Sequence, residues 1–333
     1  MTIMRELRTA ITISALAAAA AVQAQDLNQT IVGCVEVDCP AAADNVNDNC
    51  TVADTGSFPF IGLTRVPTSN TALAGLSWVK GFSIIDSSEG RNFHSSYYLG
   101  TPPALSLNSS TGGCAVFLHG AEGELHFGGQ NDTTDTAQGT CASAMGNSCV
   151  DALVSRARSL VEGYTRDSNR PSISDACAQL QSDLEDSMDD ACLPISRGSW
   201  SNFTGVALTG DGAPLAHSQD SSPCWPITPK EDELTLVSEY DIAGSQLVSD
   251  AEDAQWAITP ILTVFYPEGD GSIVNGVDAS MSCIKVMGPP LASLDTMSAD
   301  DPNSGAAALS SSYSWASAAL CVAIAASLAL YAE

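Results

Sequence analysis

The sequence has few basic residues, few histidines and few aromatic residues. Lysine and arginine number 12 against 39 aspartates and glutamates, which gives a net charge of −27 at pH 7. Because phosphate binding needs clustered lysine and arginine, we do not expect nucleic acid as a partner. The chain lacks H-E-x-x-H, G-x-S-x-G, a phosphate-binding glycine loop and any C-x-x-C pair. The sequence therefore shows no recognisable catalytic motif, and we predict no cofactor.

The first 24 residues have the pattern of a secretory signal peptide. Arg5 and Arg8 precede the apolar stretch ALAAAAAV, and the small-residue sequence VQA ends at Ala24. A positive segment, an apolar segment and a site of small residues are the three parts of such a signal. We predict cleavage after Ala24 and a mature chain that begins at Gln25.

The last 30 residues have the pattern of a GPI-attachment signal. The small residues Asn303–Gly305 precede a Ser/Ala spacer and the apolar run Trp315–Ala332, and the chain then ends in an acidic residue. A retained transmembrane helix or a buried core helix are the alternatives. A single-span anchor normally has lysine or arginine on its cytoplasmic side, and none follows this run. We therefore predict a GPI anchor, attached at Asn303 or Ser304.

Ten cysteines remain once Cys321 is removed with this tail. An even number of cysteines in a secreted chain predicts disulfides, here five. The ten are Cys34, Cys39, Cys50, Cys114, Cys141, Cys149, Cys177, Cys192, Cys224 and Cys283. N-glycosylation is predicted at five N-x-S/T sequons. These are Asn28, Asn49, Asn108, Asn131 and Asn202.

Two amphipathic segments predict an antiparallel helix pair at about 148–192. Apolar residues recur at helical spacing over Cys149–Tyr164 and again from Ile173 to Met188, with a short connection between them. Fifteen helical residues would place Cys177 and Cys192 about 22 Å apart, too far for a disulfide. An antiparallel pair instead brings Cys149 and Cys192 to one end, so we predict a Cys149–Cys192 bond.

Short β-branched and aromatic runs before and after these helices predict strands. FIGLTRV, LSWVKGFSII and SSYYLG precede the helices, and FTGVALTG, ELTLVSEY, ITPILTVFYP and MSCIKVM follow them. The fold class expected is α+β, a β-rich disulfide-stabilised ectodomain with the helix pair inserted between two runs of strands. The organisation is a signal peptide at 1–24, the ectodomain at 25–294, an acidic stalk at 295–303 and a removed propeptide at 304–333.

The best-organised polar cluster in the sequence lies in GCAVFLHGAEGELHFGG. A hairpin with the loop GAEG would place His119, Glu124 and His126 on one face, since side chains alternate along a strand. Two histidines and a carboxylate could bind a metal. The simpler interpretation, which we favour, is a solvent-facing hairpin with a cross-strand His–Glu pair. The four tryptophans between the two signals are expected to be core residues.

Four stretches resemble a group of ascomycete secreted, predicted GPI-anchored cell-surface proteins that carry no assigned activity. The stretches are YYLGTPPALSL, GCAVFLHG, QGTCASAMGNSCVDALVSRA and ITPILTVFYPEGDGSIVNGVDASMSCIKV. The resemblance implies a location and a class, and it supplies no catalytic residues.

The sequence favours a non-enzymatic, GPI-anchored glycoprotein of the plasma membrane or cell wall, with a structural or interaction role. Its expected partners are the lipid anchor in the outer leaflet and cell-wall glycans. The alternative is a cell-wall glycan-active enzyme or carbohydrate-binding module that uses Asp/Glu and Trp residues, since abundant carboxylates leave a glycosidase pair open. A third hypothesis is a metal or small-ligand binder at His119, Glu124 and His126.

Overall fold

The computed structural model describes residues 30–37, 39, 50–52, 55–87, 90–127, 137–166, 170–196, 200–219 and 224–288. The expected signal peptide, acidic stalk and GPI-attachment segment lie outside the described residues. Within the described ranges, no helix combines the length and the apolar character needed to cross a bilayer.

In the part of the chain that the structure describes, eleven strands and five α-helices form a mixed, disulfide-rich α+β fold. The strands are β1 (Cys50–Val52), β2 (Gly56–Phe58), β3 (Phe60–Arg65), β4 (Ser77–Ser87), β5 (Gly90–Thr101), β6 (Thr111–Leu118), β7 (Phe203–Ala207), β8 (Ala216–His217), β9 (Glu233–Ala243), β10 (Thr259–Pro267) and β11 (Asp278–Ile284). The helices are α1 (Cys141–Met145), α2 (Asn147–Arg166), α3 (Ile173–Glu185), α4 (Leu193–Ser196) and α5 (Val248–Trp256). Short 3₁₀ turns lie at Val35–Val37, Thr71–Leu73, His119–Glu124 and Asp190–Cys192.

The longer strands form two antiparallel sheets that pack face to face. One sheet has the order β3-β4-β5-β9-β8 and the other β11-β10-β6-β7. Trp78 of β4 meets Phe117 of β6 edge-on, with ring centroids 5.5 Å apart. The indole Nε1 of Trp78 also donates to Oγ1 of Thr263 in β10 at 3.1 Å. These side chains form the interface between the sheets, a β-sandwich core.

The alternation of side chains along β4 explains why this strand is buried on both faces. Trp78 and Lys80 point toward the second sheet, whereas Val79 points to the opposite side of the first sheet. On that opposite side, Val79 packs in one cluster with Phe58 of β2 and with Trp225. The cysteine-rich segment at the start of the chain therefore covers the outer face of the five-stranded sheet.

The helix pair covers the outer face of the four-stranded sheet. Val116 of β6 faces this side and belongs to one hydrophobic cluster with Leu153 of α2 and Leu180 of α3. Ser172 caps α3, because its hydroxyl accepts a hydrogen bond from the amide of Asp175 at 3.1 Å. The predicted pair between two runs of strands is confirmed, although α3 ends at Glu185 and a separate 3₁₀ turn carries Cys192.

The predicted hairpin after β6 is wrong. β6 is a central strand whose two edges are already paired, with β10 on one side and β7 on the other. No edge of β6 is open for a strand at 124–127. The chain instead turns at the end of β6 into the 3₁₀ segment His119–Glu124.

Candidate functional site

The turn after β6 brings a histidine and a carboxylate into contact at the end of the sheet interface. His119 Nδ1 lies 2.9 Å from Glu122 Oε1. Residues three apart lie one above the other in a 3₁₀ turn, which explains this contact. The exposed fractions of His119 and Glu122 are 5% and 7%, so both are buried. Since a buried carboxylate is costly unless it is paired, the groups around Glu122 decide whether this site is stable.

Two further polar side chains, from the two sheets, contact Glu122, and a third reaches it through one of them. The hydroxyl of Thr259 in β10 donates to Glu122 Oε1 at 2.6 Å, and the Tyr97 hydroxyl lies 3.5 Å from the same oxygen. Lys80 Nζ donates to Thr259 Oγ1 at 3.1 Å and to the backbone oxygen of Ala257 at 2.9 Å. We name His119, Glu122, Lys80, Tyr97 and Thr259 the interface cluster. It joins β4 and β5 of one sheet to β10 of the other.

The electrostatics of the interface cluster favour an ionised Glu122. Burial raises the pKa of Glu122, but the hydrogen bond from His119 and the charge of Lys80 outweigh this effect, and the pKa is lowered overall. Burial lowers the pKa of Lys80, and the charge of Glu122 opposes that change. Burial, with a further contribution from the Glu122 charge, raises the pKa of Tyr97 well above its ordinary value. Tyr97 therefore acts as a neutral hydroxyl beside a carboxylate.

Aromatic rings hold the imidazole of His119 in place. Tyr240 of β9 stacks on it with ring centroids 3.8 Å apart and planes within 8° of parallel. Phe117 lies parallel to the same ring at 5.9 Å. The half-buried Tyr240 in turn accepts a hydrogen bond at its hydroxyl from Nδ2 of Asn202, at 2.8 Å. Tyr240 and Asn202 thus lie between the interface cluster and the surface.

The His119–Glu122 pair has the geometry of a carboxylate that orients an imidazole. With Nδ1 facing Glu122, Nδ1 is the donor and Nε2 the acceptor in the neutral ring. Among the described residues, Nε2 has no hydrogen-bond partner. A nucleophilic site needs a hydroxyl or thiol within hydrogen-bond reach of that atom, and no described side chain supplies one. The His119–Glu122 pair therefore has a structural role, in which Glu122 connects the turn after β6 to Thr259 of β10.

Two of the three candidate metal ligands, His119 and His126, lie in different environments. His119 is buried and pairs with Glu122, whereas His126 is exposed in the segment after the turn. The prediction of a solvent-facing strand is therefore also wrong for His119. Glu124 ends the turn, and its side chain lies outside what the structure describes. The partner of His119 is Glu122, three residues later in the sequence HGAE. That i, i+3 spacing indicates a 3₁₀ turn, which is incompatible with the predicted hairpin.

All ten predicted disulfide cysteines are paired. The structure joins Cys149 to Cys192, as the helix geometry predicts, and joins Cys177 of α3 to Cys114 of β6. The other bonds are Cys34–Cys50, Cys39–Cys224 and Cys141–Cys283. The sulfur atoms of Cys34, Cys39, Cys50 and Cys224 all lie within 4.8 Å of one another. Four thiolates so close could bind zinc, but here they form two adjacent disulfides.

Two of the five predicted sequons lie in described residues. Asn108 and Asn202 are both exposed, which is the condition for carrying a glycan on the folded protein. Asn28, Asn49 and Asn131 lie outside the described residues, as do the two candidate attachment residues Asn303 and Ser304.

The four tryptophans of the described chain occupy core or half-buried positions. Trp78 and Trp225 are fully buried. Trp200 and Trp256 are half-buried, and Trp200 Nε1 donates to the backbone oxygen of Leu184 at 2.8 Å. A sugar-stacking platform needs an exposed ring face, which the fully buried Trp78 and Trp225 do not present.

Comparison with known proteins finds no match to a protein-family model, to a curated protein or to a solved structure.

Proposed function

We propose that this protein is a non-enzymatic, GPI-anchored glycoprotein of the cell surface or cell wall, with a structural or interaction role. The observation that supports this most is the pairing of all ten cysteines that precede the hydrophobic tail. Disulfides form and persist in oxidising compartments such as the secretory route. The two terminal signals of the sequence point to the same route.

The position of the interface cluster also supports a non-enzymatic role. Its charged groups are buried, and Thr259 links them by accepting a hydrogen bond from Lys80 and donating one to Glu122, while Lys80 also donates to the backbone of Ala257. Buried polar groups of this kind specify one arrangement of the core when they are satisfied. The chain has a net charge of −27 at pH 7, which favours solubility and repels anionic partners.

Treatment of intact cells with a phosphatidylinositol-specific phospholipase tests the anchor. We expect the full chain, expressed in a yeast secretory host, to be released from the cell surface by this enzyme or by a wall-digesting glucanase. The matched control is Ser304→Trp/Gly305→Trp, which places bulky residues in the small-residue segment that the attachment machinery needs. Membrane retention of the wild type after both treatments would support a transmembrane helix and contradict the proposal.

A glycan-active enzyme or carbohydrate-binding module is the alternative. The structure contains a cleft of about 340 Å³ beside β5 and β9, lined by residues that include Leu99, Leu208 and Val237. Glu233 is the one carboxylate among the described residues that line it, whereas glycoside hydrolysis normally uses two. Glycan-array binding by the secreted ectodomain tests this alternative, and binding that Glu233→Gln abolishes would favour it over the leading proposal.

A further inference from the structure

Asn202 is an exposed residue that is connected to the interface cluster through Tyr240. It immediately precedes β7, whose first residue Phe203 pairs with Leu118, the last residue of β6. The register therefore places Asn202 beside the turn that begins at His119. Asn202 is exposed and has φ of 64°, a left-handed conformation that asparagine tolerates better than most residues.

The side chain of Asn202 is held by the aromatic residue that covers His119. Its Nδ2 donates to the hydroxyl of Tyr240 at 2.8 Å, and the Tyr240 ring stacks on His119 at 3.8 Å. Since Nδ2 itself contacts the hydroxyl of Tyr240, a sugar bonded to Nδ2 would lie next to this tyrosine. The sequence Asn202-Phe203-Thr204 is an acceptor for N-glycosylation.

We propose that Asn202 carries an N-linked glycan whose first N-acetylglucosamine packs against Tyr240 and covers the interface cluster. This inference rests on the proposed function, because N-glycosylation requires the secretory route. The glycan is transferred from a lipid pyrophosphate donor: the C1–O bond to pyrophosphate breaks and a C1–Nδ2 bond forms. The amide loses one proton and keeps one N–H, which continues to donate to Tyr240.

The chemistry of the two surfaces is complementary. One face of an N-acetylglucosamine presents C–H groups, and a half-buried tyrosine presents an apolar ring with a polar hydroxyl at its edge. The sugar would exclude water from the Tyr240–His119 stack, behind which Glu122 holds the imidazole at 2.9 Å. The glycan at Asn202 would thus be part of the fold as well as a surface modification.

Asn108 supplies an internal comparison. It is exposed in the turn before β6, where its Oδ1 accepts a hydrogen bond from the amide of Ser110 at 3.0 Å. Asn108 is thus held by its own turn, whereas Asn202 is held by an aromatic residue of another strand. Loss of the Asn108 glycan should change the thermal stability less than loss of the Asn202 glycan.

Paired variants at the third sequon position separate the effect of the glycan from the effect of the asparagine. Thr204→Ala removes the acceptor and keeps Asn202, while Thr204→Ser keeps the acceptor. Ser110→Ala and Ser110→Thr form the matched pair for Asn108. Full-length protein is purified from a yeast secretory host, occupancy is measured by mass spectrometry, and thermal unfolding is followed by fluorescence.

We expect Asn202 to be occupied in the wild type and in Thr204→Ser. The melting temperature of Thr204→Ala should be lower than that of Thr204→Ser by about 2–4 °C, a shift of the size that one modest interaction produces in a domain of this length. Trimming the glycan to its first sugar with an endoglycosidase should leave the melting temperature unchanged. In a Tyr240→Ala background, the difference between the two Thr204 variants should disappear.

Secreted protein with a glycan on Asn108 and none on Asn202 would overturn this inference and leave the proposed function intact. Equal melting temperatures for Thr204→Ala and an occupied Thr204→Ser would overturn the packing of the sugar on Tyr240. Protein that carries no glycan at either site and no disulfides would contradict the proposed function and this inference together.

Discussion

The outer layers of this molecule and the interface between its two sheets are held together in different ways. Two disulfides fix the cysteine-rich segment that covers the first sheet, and three fix the helical layer that covers the second. None of the five joins one sheet to the other. The sheet interface instead relies on aromatic packing and on the interface cluster, in which Lys80 and Tyr97 contact Thr259.

This difference separates two sources of stability. A disulfide acts mainly on the unfolded chain by reducing its conformational entropy. A buried polar cluster acts on the folded state. It is favourable only when its members are placed so that they form hydrogen bonds and pair their charges. The outer layers therefore gain stability from disulfides that the sheet interface lacks, and the sheet interface depends more on a few specific side chains.

The largest effect is expected from breaking the interface cluster. Glu122→Gln removes the charge that Lys80 and His119 face while keeping the shape of the side chain. The change would leave the buried ammonium group of Lys80 without its nearby counter-charge, and an uncompensated buried charge costs about 3–5 kcal/mol of the free energy of unfolding. Urea unfolding followed by tryptophan fluorescence measures this loss.

The exposed Glu231 supplies the control for that experiment. Glu231→Gln makes the same chemical change at the surface and should stay within about 0.5 kcal/mol of the wild type. If Glu122→Gln were as stable as Glu231→Gln, the interface cluster would not hold the sheets together.

A smaller effect should distinguish the two disulfides of the cysteine-rich segment. Cys39–Cys224 spans 185 residues and Cys34–Cys50 spans 16. In the chain-entropy model, removal of the longer bond as Cys39→Ala/Cys224→Ala should cost about 2 kcal/mol more than Cys34→Ala/Cys50→Ala. Denaturant unfolding of the two double variants measures the difference. Equal losses would show that effects in the folded state outweigh the entropy of the unfolded chain.

The smallest effect expected is a pH dependence specific to the interface cluster. Because the pKa of Glu122 is lower in the folded than in the unfolded state, its contribution is fully present above the unfolded pKa of about 4.3. It is lost as the pH falls through the lower folded-state pKa. The stability gap between the wild type and Glu122→Gln should therefore narrow below about pH 4.

Unfolding at a series of pH values checks this expectation. The other carboxylates are present in both proteins, so the pH dependence of the difference in their free energies of unfolding reports on Glu122. A gap that widened on acidification would mean that the folded state raises the pKa of Glu122.

Local sequence patterns predicted the strands and helices well, because their signals are short-range. The β-branched and aromatic runs at β4 and β10 became strands, and the apolar stripe at 149–164 became α2. The Cys149–Cys192 bond followed from the rise of a helix and the reach of a disulfide. These inferences needed no knowledge of which elements lie side by side.

The interface cluster could not be predicted in this way. Lys80, Glu122 and Thr259 lie far apart in the sequence and meet only because β4, the turn after β6 and β10 converge. The hairpin was predicted because GAEG resembles a tight loop, and only the pairing of both edges of β6 excludes it. Strand pairing depends on contacts between distant residues, so a local pattern does not decide it.

The sequence by itself determined the expected compartment, the fold class and the helix pair. These follow from composition and from periodicity within a few turns of chain. The tertiary structure decided that His119 is buried against Glu122 and Tyr240, and that Asn202 contacts the same tyrosine. The physical reason is that the packing of the two sheets decides which side chains are buried and which contact each other. This packing brings together residues more than a hundred positions apart in the sequence, such as Lys80 and Thr259.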